Sequence, residues 1–499
     1  MTNHHLIKII KTFSRKEMTR FEEFAGSPYF NKHKGVRALT TYLSNIFPNL
    51  NAKKCARETI FQQLFPQKSH EQNQLALLFT YTLRLLEKFL IQEQFQTEVF
   101  NEKLCLFRSL RQRGLNLYYE KKLGHFSPFG KEFSDEWDAK LLKTPENTFK
   151  DAEFYQWQFH LNAEVDSYFS HQSQNKNGEF MKRKQFFLDN YYLSEKLRDA
   201  CEMTLRRKIF KTEYPVGILN SLLQEIEVTE EKYAAVPPVI VYFKFYKLLN
   251  AKDSTAYETV LEVLKENEKW FPKAELQNLY NYLQNYCIEK INKGQRPFLK
   301  ELFKIYQSQL EKELLLVDGF LPEWHYKNIV TTGLRLHEND WVLQFIESYK
   351  KCLKPAVLEN AYSYNLAAYF YNTRQLEKVL DLLIKVEYTD IRYNLDAKSL
   401  LLRTYYDLKE DEALFSLVDS FRQFLTRNRM ISEFQKRGYF NLLKLSKRAY
   451  QIKLKLNYSG KPKLKTDLAR LKKEMAAAET IFNKGWLESK MEELSNYLN

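Results

Sequence analysis

Apolar side chains recur three and four residues apart along most of this chain, the spacing that lines one face of an α-helix. Ser14-Arg15-Lys16-Glu17 is a capping-box pattern, and Met18, Phe21 and Phe24 follow it on one face. Ser27-Pro28 stops that helix. A second is predicted from His33 to Phe47, with Val36, Leu39, Leu43 and Phe47 in register, ending at Pro48. After a segment closed by Pro66, the stretch from His70 to about Phe95 carries a wide stripe of Leu75, Leu78, Phe79, Thr82, Leu86, Phe89 and Leu90, as a central helix would. Gly124 to Gly130 and Pro145 punctuate the first third and predict a domain boundary. A helix is predicted over Asp151–His171, broken at Asn175–Gly178, and one or two more over Met181–Phe210.

Downstream, Pro238, Pro272, Pro297, Pro322 and Pro355 each precede an amphipathic stretch, at spacings of 34, 25, 25 and 33 residues. The first helical position suits proline, whose missing N–H has no partner there anyway. Leu366-Ala367, Phe370-Tyr371, Glu377, Val379, Leu383 and Val386 recur 35 residues later as Leu401-Leu402, Tyr405-Tyr406, Glu412, Leu414, Val418 and Phe421. An earlier copy lies 37 residues upstream, as Asn328-Ile329-Val330, Gly333, Val342, Ile346 and Tyr349. This pattern resembles the tetratricopeptide repeat, a helix–turn–helix unit, over roughly 322–426 and more faintly over 238–321. The two clearest copies depart from it by lacking the family's Trp, its Gly beside the Leu and its closing Pro. The opening of the chain, Phe13 to Glu17 with Phe21-Glu22-Glu23-Phe24 and Ser27 to Asn31, resembles that of an uncharacterised family of bacterial helical proteins of about this length, and that likeness implies no activity.

Composition agrees with an all-α fold. Only 13 Gly and 13 Pro stand among 499 residues, and turn-rich β architectures need more of both. A hydrophobic fraction of 44% supplies packed cores, and the length calls for several of them. The predicted organisation is an N-terminal helical domain over 1–125, an array of helical hairpins over 146–426 in the manner of a solenoid, and basic C-terminal helices over 427–499. Cys55, Cys105, Cys201, Cys287 and Cys352 are dispersed and unpaired in spacing, which reads as small apolar residues in a reducing compartment. Leu6, Ile7, Ile9 and Ile10 are too few for a signal-peptide core, and no apolar run approaches a membrane span, so a cytoplasmic protein without membrane contact is expected.

Nothing nominates a catalytic residue, a cofactor site or a metal site. The closest glycines, Gly124 and Gly130, lack the Lys-Ser or Lys-Thr of a phosphate loop. His160, Glu164 and His171 share a 40° arc of their helix, but Trp157, Leu161, Val165, Tyr168 and Phe169 form the packed face beside them, which leaves the histidines solvated. His325 and His337 have no matching partner, and His4-His5 falls in what reads as a frayed end. A non-catalytic role without a small-molecule substrate is expected.

Charge is the sharpest signal. Residues 427–473 hold fifteen Lys or Arg against Glu433 and Asp467, a net of +13, and residues 1–57 add a net of +8, so the remainder is acidic within an overall +15. On the helix predicted from Ser432 to Leu456, Lys436, Arg437, Lys444, Lys447, Arg448 and Lys455 share a 120° arc, opposite Phe434, Leu442, Leu445, Ala449, Ile452 and Leu456. Such a stripe could neutralise the phosphates of a nucleic acid, dock on an acidic protein, or only solvate the end of a solenoid. In the tetratricopeptide family the first helix of each hairpin lines a concave groove that binds peptides or partner helices. The resemblance then implies groove positions at Trp324, Lys327, Arg335, Tyr364, Tyr371, Asn372, Arg403, Tyr406 and Asp407, and the alternative is that these aromatics are core. The expected protein is a scaffold or adaptor for a protein or peptide partner, with RNA or ribosome binding through residues 427–473 as the alternative and an enzyme of unrecognised type as the third reading.

Overall fold

The computed structural model describes residues 2–66, 72–124, 149–171, 179–215, 217–251, 256–383 and 391–498. The predicted boundary between 125 and 146, His70, the Asn175–Gly178 break and Val386 lie outside these. Among the described residues the fold is all-helical, without a β-strand beyond the isolated bridge of Val317 and Phe320. No helix there is long and apolar enough to cross a membrane. The chain divides into two compact units, Met1–Trp270 and Phe271–Asn499, and the expected array over 146–426 contributes to both.

The first unit holds α1 (His5–Ile10), α2 (Arg15–Gly26), α3 (Lys34–Ile46), α4 (Arg57–Leu64), α5 (Gln72–Thr97), α6 (Val99–Gln112), α7 (Asn116–Gly124), α8 (Ala152–His171), α9 (Glu179–Phe210), α10 (Leu219–Val228), α11 (Glu230–Tyr233), α12 (Pro237–Asn250) and α13 (Ala256–Asn267). The capping box forms as the sequence implies: Ser14 Oγ accepts from the Glu17 N–H at 3.2 Å, and Glu17 accepts from the Ser14 N–H at 2.6 Å. Those bonds to Ser14 hold the Glu17 carboxyl below its usual range. The chain start is not frayed. His4 caps α1, and Leu6, Ile7 and Ile10 are buried with Met18, Phe21, Leu39, Phe79 and Phe89 in the core around α5. Three apolar residues within one turn suffice once a central helix is there to cover them. A second cluster joins Phe107, Leu110 and Tyr119 to Leu161, Val165 and Tyr168, with the Tyr119 and Tyr168 rings stacked at 3.9 Å.

The second unit holds α14 (Lys273–Asn292), α15 (Pro297–Glu311), α16 (Glu323–Arg335), α17 (Asn339–Tyr349), α18 (Pro355–Asn372), α19 (Leu376–Leu383), α20 (Ile391–Leu408), α21 (Asp411–Arg427), α22 (Glu433–Leu454), α23 (Lys461–Ala477) and α24 (Lys484–Leu498). Each helix packs on its successor, and α16 with α18 and α18 with α20 touch as well. Pro297 and Pro355 open their helices as expected, whereas Pro272 and Pro322 stand one place earlier, at the N-cap.

Four hairpins turn in the same way. Gly294, His337, Arg374 and Lys409 each adopt a left-handed backbone, with φ of 85°, 62°, 62° and 64°. In each case the next N–H reaches back five residues: Gln295 to the Lys290 carbonyl, Glu338 to Gly333, Gln375 to Phe370 and Glu410 to Tyr405, all at 2.9–3.0 Å. This is the Schellman closure, which satisfies carbonyls that the helix end leaves open. Only the first of the four uses glycine, the residue with no penalty for positive φ.

Close helix crossings account for two further glycines. A Cβ on Gly333 would lie 2.5 Å from Val342 Cγ2 and 3.1 Å from Phe303, and one on Gly438 would lie 2.6 Å from the Phe482 ring.

Candidate functional site

The nine groove positions separate into two groups. Trp324, 55% exposed, and Arg335 face solvent. The other seven are engaged within the unit. Lys327 pairs with Asp396 and lies 5.5 Å from the centroid of the Tyr364 ring, and Tyr364 itself is buried edge-on to Tyr393. Asn372 donates to Asn339 at 3.0 Å. Tyr371 donates its hydroxyl to Asp407 Oδ2 at 2.7 Å, the Arg403 guanidinium sits 4.7 Å over the Tyr371 ring, and Tyr406 is buried against Tyr450 and Trp486.

At the centre of this group is an ion pair. Lys490 Nζ lies 2.8 Å from Asp407 Oδ1, with the two side chains 7% and 6% exposed, and it also pairs with Glu493 at 2.8 Å. Arg374 approaches the other Asp407 oxygen at 3.5 Å. Burial pushes the Tyr371 phenol above its ordinary value; Arg403 opposes that rise and Asp407 reinforces it. Tyr364 and Tyr406 are raised for the same first reason. Burial lowers Lys453, whose ammonium donates to the Tyr406 carbonyl at 3.0 Å. A buried carboxylate held by an ammonium and a phenol, among rings packed edge to face, has its bonding capacity spent on fastening α24 to α18 and α20. Lys490 and Trp486 had no signal in the sequence, because they reach this site from a helix that no repeat pattern linked to it.

The basic face of α22 is present and largely neutralised. Lys436 pairs with Glu433 at 2.9 Å, Arg437 with Glu479 at 2.9 Å and Lys447 with Asp419 at 3.6 Å, while Lys444 and Arg448 share Glu474. Arg448 first, then Lys444, holds the Glu474 carboxyl below its ordinary range. Lys455 is exposed at the helix end. On the apolar arc Leu442, Leu445, Ala449 and Ile452 are buried, whereas Phe434 is 62% exposed at the helix start. Charges left open lie on α23: Lys461, Lys463, Lys465, Arg470 and Lys473 are exposed and have no carboxylate partner among the described residues.

In the first unit Glu164 is a buried ion-pair partner, accepting from Arg111 at 2.6 and 3.1 Å. His160, expected on a solvated side, is half-buried, and burial with the nearby Arg108 lowers its pKa. The His171 side chain lies outside the described residues. Among those residues no three His, Cys, Asp or Glu side chains gather as a metal ion would need. Cys55, Cys201 and Cys287 are buried as a small apolar residue would be, but Cys105 is exposed.

A second surface feature lies between α15 and α17, the second helices of two successive hairpins. Trp341, Phe345 and Tyr349 stand one turn apart with their rings stacked at 5.4 and 4.9 Å, and they line an open cavity of about 220 Å³ with Gln307, Glu311, Gln344 and Ser348. The i, i+4, i+8 spacing of these aromatics was visible in the sequence. That Trp341 and Tyr349 stay half-buried at the cavity on either side of a buried Phe345 was not. No family model, curated protein or solved structure matches the chain.

Proposed function

We propose that this protein is a non-catalytic helical-hairpin scaffold, built as a tetratricopeptide-like solenoid, that binds a protein partner. The observation that carries the reading is the repeated left-handed turn at Gly294, His337, Arg374 and Lys409. One hairpin geometry used four times in succession favours an open array, in which each unit buries its apolar face on its neighbours and leaves a continuous outer surface. The compensation of the α22 cations by Glu474, Asp419, Glu433 and Glu479 favours a protein over phosphates on that face.

The test is affinity purification of the tagged full chain from its native cell at moderate salt, with protein and RNA both quantified. A protein retained in fixed ratio after nuclease treatment supports the scaffold. Retention of RNA alone overturns it in favour of the second reading, an RNA- or ribosome-associated protein. That reading draws on the exposed Lys461, Lys463, Lys465, Arg470 and Lys473 of α23.

A further inference from the structure

We infer that the outward face of α23 is a binding site for double-stranded DNA, with the helix seated in the major groove and a row of cations on the phosphates at either side. This rests on the second reading's premise that α23 meets phosphates, and it exchanges RNA for a DNA duplex; the scaffold reading does not depend on it.

Helix geometry sets the face. α23 buries Leu464, Leu468 and Leu471, and it packs on both α22 and α24, which also pack on each other, so one side of the helix is spent and the opposite side meets solvent. Lys463 and Lys465 are two residues apart, as are Arg470 and Lys472, and at 3.6 residues per turn the members of each pair stand about 160° apart. Lys463 and Arg470 are seven residues apart, as are Lys465 and Lys472, which stacks them into one row on each flank, about 10 Å along the axis. Between the rows Pro462, Thr466, Ala469, Lys473 and Ala476 face outward and are exposed, a low ridge of mostly small side chains. No carboxylate of α23 enters this face. Asp467 and Glu474 lie at the edge of the buried side, and Glu474 is taken by Lys444 and Arg448. Lys472 donates to Ser495 Oγ at 2.6 Å and is exposed.

The chemistry of the face selects its occupant. An interfacial helix needs apolar side chains to bury in lipid, and those of α23 are already inside the protein. Protein interfaces are depleted in lysine and anchored by aromatic or other large side chains, whereas this face is rich in lysine and carries no aromatic. Two rows of cations beside a low ridge suit phosphates, whose counterions they release. Groove width then separates the duplexes. The major groove of B-form DNA, about 12 Å wide, admits an α-helix about 10–12 Å across, so opposite flanks reach opposite walls. The major groove of A-form RNA is too deep and narrow for this.

The probe is a fluorescein-labelled DNA duplex of about twenty base pairs, two helical turns, compared with an RNA duplex of the same sequence. Fluorescence anisotropy with the full chain over a series of salt concentrations reads the affinity. The DNA is expected to bind saturably, with log K falling against log salt at a slope of about −4 to −5, as five phosphate contacts give, and the RNA duplex to bind at least threefold more weakly. Lys463→Ala/Arg470→Ala removes one row and should flatten the slope by about 2. Ala469→Trp changes no charge but holds the helix off the groove floor, and should weaken the DNA by about tenfold. All three positions are exposed, so these variants keep the fold, and Arg84→Ala/Lys88→Ala in the first unit controls for general loss of charge. Absence of saturable DNA binding, an unchanged slope in Lys463→Ala/Arg470→Ala, or a change under threefold in Ala469→Trp overturns the site. Displacement of the DNA by phosphatidylserine vesicles at matched phosphate overturns it in favour of a lipid surface. If the RNA duplex binds as tightly as the DNA and both need Lys463 and Arg470, the second reading stands and this site falls. If the DNA arms succeed while affinity purification retains no RNA, this site stands and the second reading falls.

Discussion

Lys490→Met isolates what the buried ion pair contributes. Methionine keeps much of the lysine stem and removes the ammonium, so Asp407 stays buried with the Tyr371 hydroxyl and the more distant Arg374 as its partners. Both members of the pair are under a tenth exposed, so water offers little relief, and breaking such a pair costs about 3–5 kcal/mol. The Glu493 contact adds little, since that carboxylate is 57% exposed. Arg374, 69% exposed, can swing toward Asp407 and places the expectation at the lower end, about 3 kcal/mol. Hydrogen exchange resolved to 391–408 and 484–498 reads this locally, without requiring the whole chain to unfold in one step. A loss of about 3 kcal/mol raises the opening equilibrium about a hundredfold in both segments. Asp407→Asn/Lys490→Met removes both charges while Asn can still accept from Tyr371, and it should recover most of the loss. Protection in Lys490→Met within tenfold of wild type would refute the argument. So would a double variant that costs the sum of the two singles.

Other consequences follow from particular contacts. Gly333→Ala drives a methyl into Val342, whose branched side chain has little freedom to yield, and should cost about 1–3 kcal/mol in thermal or denaturant melts. Lys409→Gly relieves a left-handed lysine and removes a like charge from the neighbourhood of Lys453, so it should stabilise by about 0.5–1 kcal/mol; a loss would contradict the turn geometry. Asp151 caps α8 through the Phe154 N–H at 3.0 Å, yet burial raises its carboxyl above the usual range. A folded pKa above the unfolded one means stability falls as pH rises through that window; Asp151→Asn keeps the cap and should melt higher at neutral pH, the gain vanishing below about pH 3.5. Reversing Lys463, Lys465 and Arg470 to Glu should shorten retention on heparin more than reversing Lys444, Lys447 and Arg448, because the second set is already matched by Glu474 and Asp419.

The sequence by itself determined the helical class and much of the helix register. Period-3.6 patterning, the Ser14–Glu17 capping box and prolines at or beside helix starts are local signals, set within one or two turns of chain. The stripe predicted for the long helix at 70–95 is likewise the face that α5 buries at Leu75, Phe79, Leu86 and Phe89. Local signals fail where the decision is made by a distant partner. The start of the chain reads as frayed until α5 covers Leu6, Ile7 and Ile10. His337, Arg374 and Lys409 carry no turn signature, and only the closure of helix against helix forces them into the left-handed region. Tyr364, Tyr371, Tyr406 and Asp407 share a repeat register with surface positions. What covers Tyr406 and Asp407 is α24, which brings Trp486 and Lys490 from the end of the chain, and what covers Tyr364 is Tyr393 of α20. A helical wheel places the α22 cations on one arc but cannot show Glu474 and Asp419 facing them from α23 and α21. Periodicity fixes which side chains share a face, and only packing decides whether that face meets water, a carboxylate or another ring.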